Sequence, residues 1–205
     1  MINKLPVYYA EIENDTEGIS SIALVDFPAV ESDFMTFSKA ERKNTLRFMA
    51  IEAGEQRLIL GVVCRADFPI YRVDDFGNEF YVVFRRDMVR QLAEKMLYDG
   101  RTSAVNIMHS TRHVNGVNLN EIFIKDSTKG ISPVGFEDIE EGSLFAVYKV
   151  HNDDVWDACK RGEFRGFSLE GIFDILPANM EQPESSELDA LMAEVEKLEQ
   201  TINKL

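Results

Sequence analysis

One short stretch gathers residue types that could do covalent chemistry: FRGFSLEG, residues 164–171. Ser168 stands at its centre between Phe167 and Leu169. Gly166 and Gly171 flank it, and Glu170 follows two residues on. The chemistry open to such a residue is acyl transfer, because a serine hydroxyl becomes a nucleophile once a neighbouring base removes its proton. A serine in a strand is also ordinary sheet decoration, so the residue type alone leaves both readings open. Histidine suits the base near neutral pH. The chain has three: His109, His113 and His151. His109 lies near the end of the apolar run AVNIMHS. His113 adjoins an Asn115-Gly116 turn, and His151 precedes a helical segment, where it could support a cap. Pairing Ser168 with His109 requires two strands distant in sequence to lie close together.

Other chemistries find little footing. There is no GxSxG elbow, Walker loop, HExxH or EF-hand loop. Three histidines without a cysteine cluster argue against zinc, and no cofactor is expected. Cys64 and Cys159 show no CxxC spacing and read as buried free thiols, which fits a reducing, cytoplasmic compartment. The pairs Asp74-Asp75, Glu140-Glu141 and Asp153-Asp154 adjoin turns or helix starts and read as solvated or capping acids.

The elements that must position these residues fit a chain of 205 residues, 45% of them hydrophobic: one sizeable domain and a small appendage. A net charge of −14 repels polyanions, so nucleic acid is not an expected partner. No apolar run reaches eighteen residues, and the N-terminus lacks the apolar region of a secretory signal, so no membrane is expected.

The pattern is mostly strand. PVYYAEI (6–12) and SIALVDF (21–27) flank a polar turn. LRFMAIE (46–52) and RLILGVVC (57–64) flank AGEQ like a β-hairpin, and EFYVVFR (79–85) follows. Ser38 to Glu41 resembles a capping box, although the segment after it alternates better as a strand. The period then changes: Met88, Val89, Leu92, Ala93, Met96 and Leu97 share a helical face, with Asp87 as cap and Gly100 as stop. SAVNIMHS (103–110) and NLNEIFIKD (118–126) read as strands around Asn115-Gly116. SLFAVYKV (143–150) is another strand. DDVWDACKR is a short helix capped by Asn152 or Asp153 and stopped by Gly162, and FRGFSLEGIFDI returns as a strand. The order predicts an α+β fold rather than a doubly wound one.

After Leu176 the character shifts. Residues 177–187 carry two prolines and read as a linker. Leu188, Leu191, Val195, Leu198, Ile202 and Leu205 then recur at heptad spacing. The expected organisation is a domain over 1–176, a linker over 177–187 and an amphipathic, coiled-coil-like helix over 188–205. That helix reads as a self-association or docking element, or as a helix folded back on the domain.

Taken in order, several segments resemble the phage prohead maturation proteases, in particular the XkdF-like serine proteases. They are ISSIALVDFPAVESDFMTFS, RLILGVVCRADFPIYR, EFYVVFRRDMV, the strand ending in His109, NEIFIKD, GSLFAVYKV and VWDACKRGEFRGFSLEG. The last is the most specific. Such proteases are similar to herpesvirus assemblin. The resemblance implies a mostly antiparallel β-barrel-like core with helices around it, and a strand-borne serine and histidine. It implies an endopeptidase that cuts scaffold and major capsid protein segments inside the prohead, assembled in the bacterial cytoplasm. The alternative function is an inactive assembly protein that keeps the protease fold.

Onto that pattern Ser168 maps as nucleophile and His109 as general base. The herpesvirus enzymes use a second histidine downstream of the serine. None follows Ser168 here, so an acid replaces it or the site is a dyad. Glu121, on the strand after His109, is the first candidate to orient the imidazole. Glu170 is the second, because two residues along a strand it shares the face of Ser168. Each also reads as an ordinary acid, Glu121 exposed across a strand pair and Glu170 at a strand end. Backbone oxyanion donors leave no signature in sequence.

Overall fold

The computed structural model describes residues 5–26, 48–51, 56–74 and 76–178. Their strands are β1 (Val7–Glu11), β2 (Gly18–Val25), β3 (Phe48–Ile51), β4 (Leu58–Cys64), β5 (Pro69–Val73) and β6 (Glu79–Val83). After the helix α1 (Arg86–Tyr98) come β7 (Val105–Ile107), β8 (Val117–Ile124) and β9 (Leu144–Val150). The helix α2 (Asp153–Lys160), β10 (Gly166–Ile172) and β11 (Asp174–Pro177) complete the order. With two α-helices among eleven strands, the described residues form the expected mostly-β, α+β arrangement.

The strands form three sheets: β11-β1-β6-β5, β10-β2-β7 and β3-β4-β9-β8. Six of the eight pairings are antiparallel; β1–β6 and β2–β7 are parallel. The expected barrel-like core is corrected here, since no closed barrel forms among the described residues. One ladder stops at β7, where Met108 and His109 take left-handed backbone (φ 51 and 57) and turn the chain away after three paired residues.

The core lies between the sheets and the helices. Strand β9 is buried along nearly its whole length, as LFAVYKV, because neighbours cover both its faces. Helix α1 buries Met88, Val89, Leu92, Ala93 and Met96 and packs against β2, β8 and β9. Each large aliphatic side chain fully buried there contributes about 1.5–3 kcal/mol. Leu97, expected on that face, is half-exposed. Asp87 does not cap α1: the cap position is Arg85, and Asp87 lies in the first turn, where its charge suits the helix dipole. Gly100 does end the helix in the left-handed conformation, and Asn152 caps α2 by accepting from the Val155 amide at 3.1 Å.

The predicted β3–β4 hairpin is present. The Asn115-Gly116 turn, in contrast, leads into β8 without pairing it to β7. Gly116 has φ +80, and a Cβ there would stand 3.2 Å from the Asn152 amide nitrogen. Two strands read as one are separate: Phe173 divides β10 from β11, and β11 reaches Pro177, the first residue of the expected linker. The capping-box segment at Ser38, most of that linker and the heptad stripe lie outside the described residues.

Two buried cations hold the segment between β8 and β9. Lys125 is almost fully buried, and its ammonium donates to the carbonyl oxygens of Phe136 (3.1 Å), Glu137 (3.2 Å) and Ile139 (2.6 Å). Arg65 stacks its guanidinium on Phe68 at 3.5 Å from the ring centre and grips Glu140 with two nitrogens.

Candidate active site

The central strand of the β10-β2-β7 sheet is GISSIALV, an apolar run interrupted by two adjacent serines. Its register places Ser168 of β10 opposite Ala23, and Ala23 beside Asn106 of β7. Glu170 stands opposite Ser21. Side chains alternate along a strand, so Ser168, Glu170, Ser21, Ala23 and Asn106 share one sheet face. Phe167 points the other way, into the core, where its ring meets Tyr148 edge-on at 5.2 Å. That contact fixes the strand that carries Ser168.

A β-bulge shapes the far end of this row. Between the pairs Glu170–Ser21 and Gly171–Ile19, β2 carries one extra residue, Ser20. Its hydroxyl donates to the Glu170 carbonyl at 3.2 Å. A Cβ on Gly171 would fall 2.3 Å from the Gly18 carbonyl oxygen, so the bulge needs glycine there.

The Glu170 carboxylate is the hub of the site. Oε1 lies 2.5 Å from Nδ1 of His109. Oε2 accepts from the Ser21 hydroxyl and from Nδ2 of Asn106, the latter at 2.6 Å. Asn106 Nδ2 also reaches the Ser21 oxygen at 3.2 Å. Burial alone pushes the Glu170 carboxyl up. The hydrogen bonds from Ser21, His109 and Asn106 together outweigh it and hold the group below the usual carboxylate range, so it is ionised at neutral pH.

His109 is not on a strand, as expected, but in the left-handed turn just past β7, with its side chain 45% exposed. Left-handed backbone costs a residue other than glycine on the order of 1–3 kcal/mol. Here it folds the chain back, and the imidazole meets Glu170. Ser168 is 6% exposed, and among the described residues no hydrogen bond joins its hydroxyl to His109, whose Nδ1 meets Glu170. Ser168 and His109 are therefore not joined directly. What connects them is the shared face and the carboxylate two residues along β10 from the serine.

The other candidates lie elsewhere. Glu121 is exposed on β8, in a different sheet, and accepts from its neighbour Asn120 at 3.2 Å; no hydrogen bond joins it to His109. His113 is exposed and meets Asn106 only through an isolated backbone bridge. His151 is exposed ahead of α2. Gly166 is buried opposite Val25. Among the described residues no group of three or more His, Cys, Asp or Glu could hold a metal ion. No helix among them is long and apolar enough to cross a membrane.

Sequence reasoning passed over Ser21 and Asn106. The signal was there: each is a polar residue inside an apolar strand, and buried polar side chains need partners.

Comparison with known proteins gives two matches of note. A family model described as "Putative phage serine protease XkdF" matches residues 45–176, which include Asn106, His109, Glu121, Ser168 and Glu170 but not Ser21. The Phage-like element PBSX protein XkdF of Bacillus subtilis (strain 168) is 27% identical over 161 residues. That alignment covers 77% of this chain and 53% of the relative, so the chain spans about half the length of the curated protein it matches. No solved structure matches.

Proposed function

Because the chain belongs to the family described as "Putative phage serine protease XkdF", we propose that it is a serine endopeptidase working through Ser168, His109 and Glu170. The observation that carries this reading is the 2.5 Å contact between His109 Nδ1 and an ionised Glu170 two residues from Ser168. An acid on Nδ1 sets the tautomer and leaves Nε2 free to act as a base.

In this reading Nε2 of His109 takes the proton from Ser168 Oγ as the oxygen attacks the substrate carbonyl. Glu170 stabilises the imidazolium that forms. The same proton then passes to the leaving amine, and the acyl-serine is released by water through the reverse proton path. The missing hydrogen bond between Ser168 and His109 is compatible with this, since catalytic contacts tighten when substrate binds.

The finer function proposed is capsid maturation: cleavage of scaffold and major capsid protein segments inside the prohead. Residues 188–205 would serve as a tether that raises local concentration or mediates self-association. The competing reading is a protease-fold assembly protein without activity. The observation that favours it is that Ser168, 6% exposed, makes no hydrogen bond to His109 among the described residues.

The decisive experiment incubates the chain with the capsid and scaffold proteins of its own phage, with and without Ser168→Ala. Cleavage that falls about 10⁴-fold or more in a folded variant supports the enzyme. Processing unchanged by the substitution, or absent from the unsubstituted chain, sinks it.

A further inference from the structure

The two oxygens of Glu170 are treated differently. Among the described residues Oε1 meets only His109, whose ring is half in solvent. Oε2 is turned toward the sheet and accepts from two side chains, Ser21 and Asn106, 5% and 2% exposed. Those two are joined to each other, which closes a triangle around Oε2. Asn106 takes part at a cost: its amide oxygen is buried with no hydrogen-bond partner among the described residues. A buried acceptor left unmade is expensive. Turning the amide over would bring its oxygen against the carboxylate, oxygen to oxygen, so the charge on Glu170 fixes which way the amide points.

We propose that Asn106 and Ser21 are positioning residues that anchor Oε2 of Glu170, so that Oε1 stays aimed at Nδ1 of His109. The proposal rests on the reading of His109 and Glu170 as base and orienting acid. An exposed carboxylate on a free rotor would spend its time hydrated. With Oε2 held by two donors inside the sheet, only rotation about that anchored end remains. His109 contributes the other half: its turn is fixed by the Met108 amide on the Leu24 carbonyl (3.0 Å) and the Ser110 amide on the Ile107 carbonyl (3.0 Å). Base and acid are thus each set by a different strand of one sheet. Ser21 and Asn106 touch no reacting atom, and they act through Glu170.

The test reads the His109 ring by NMR in the whole chain, through the nitrogen shifts of Nδ1 and Nε2, which report which of the two carries the proton. His151 serves as the internal reference, since it contacts neither Glu170 nor Asn106. Glu170→Gln defines the signature of a His109 ring without its carboxylate. Ser21→Ala and Asn106→Ala are each expected to move the His109 signature toward that of Glu170→Gln, while His151 stays put. In the cleavage assay both should lower kcat by about 10²-fold with little change in KM, and Ser21→Thr, which keeps the hydroxyl, should recover most of the loss. A merely structural role predicts otherwise: folded variants in which the ring nitrogens of His109 read as in the unsubstituted chain, with only the unfolding midpoint lowered. That result overturns the proposal. Should Asn106→Ala fail to fold, Ser21→Ala decides alone. Cleavage that survives Ser168→Ala would refute the assigned nucleophile, whereas the anchor stands or falls on the His109 nitrogen signature.

Discussion

His109 Nδ1 and Glu170 Oε1 lie 2.5 Å apart although 61 residues separate them in the chain. Neither residue reaches the other by local structure. His109 arrives through the left-handed turn after β7, and Glu170 through the register of β10 on β2. The strand between them, β2, supplies Ser21 from the same face.

The histidines can be told apart by substitution. His109→Ala should lose as much activity as Ser168→Ala, and the double variant should be no worse than either single one, because members of one catalytic unit are not additive. His113→Ala and His151→Ala should cleave normally, since both rings are exposed and away from Glu170. Normal cleavage by His109→Ala, with either of the others dead, would reassign the base.

The two acids separate as cleanly. Glu170→Gln keeps the shape but removes the charge that, in the proposed mechanism, sets the tautomer of His109, and should slow cleavage by about 10²–10⁴-fold. Glu121→Gln alters an exposed side chain in another sheet and should stay within about twofold of the unsubstituted rate. Steady-state rates on one substrate settle the order, and a larger loss at Glu121 would reverse it.

Lys125→Met should destabilise the fold by about 2–4 kcal/mol, because it strips three backbone carbonyls of their common donor. Urea unfolding reads this as a lower midpoint with an unchanged slope. A midpoint within error of the unsubstituted protein would mean that water replaces the ammonium without loss.

Burial pushes the Cys64 thiol up to about 12 and the Cys159 thiol up to about 11. An unfolded thiol titrates near 8.5, so above that pH the unfolded chain loses protons that the folded chain keeps. The contribution to stability is therefore complete below about pH 8.5 and is lost as pH rises toward the folded values. The stability difference between the protein and Cys64→Val should be constant from pH 6 to 8 and should shift against the cysteine form above about pH 9. Other groups cancel in that difference. A difference independent of pH up to 11 would contradict the burial of Cys64.

Much of this fold was legible because alternation and helical period report burial directly. The runs SLFAVYKV and RLILGVVC become β9 and β4, and the Met88 to Met96 stripe becomes the inner face of α1. What failed depends on partners distant in sequence. Asn115-Gly116 has the chemistry of a hairpin turn, yet β8 pairs with β9, so long-range pairing overrode the local signal. His109 was read onto a strand because AVNIMHS is apolar; nothing in those letters announces two consecutive left-handed residues. At the site, Ser168 and Glu170 were visible as a same-face pair from their spacing alone. That Glu170 rather than Glu121 meets His109 follows from β10 and β7 both flanking β2, a sheet order that no local pattern encodes.

The pairing of β10 with β2 also has a consequence in time. Ser21 leaves the ribosome well before the carboxylate it holds, which comes 149 residues later. At about 5–20 residues per second, the wait is on the order of ten seconds. Throughout it, β2 lacks the strand that bears Ser168 and Glu170, and β7 joins it only partway through. A nascent or prematurely terminated chain that stops between His109 and β10 therefore carries His109 but neither of those partners. Whatever chemistry the site performs, it is withheld until synthesis has passed Glu170.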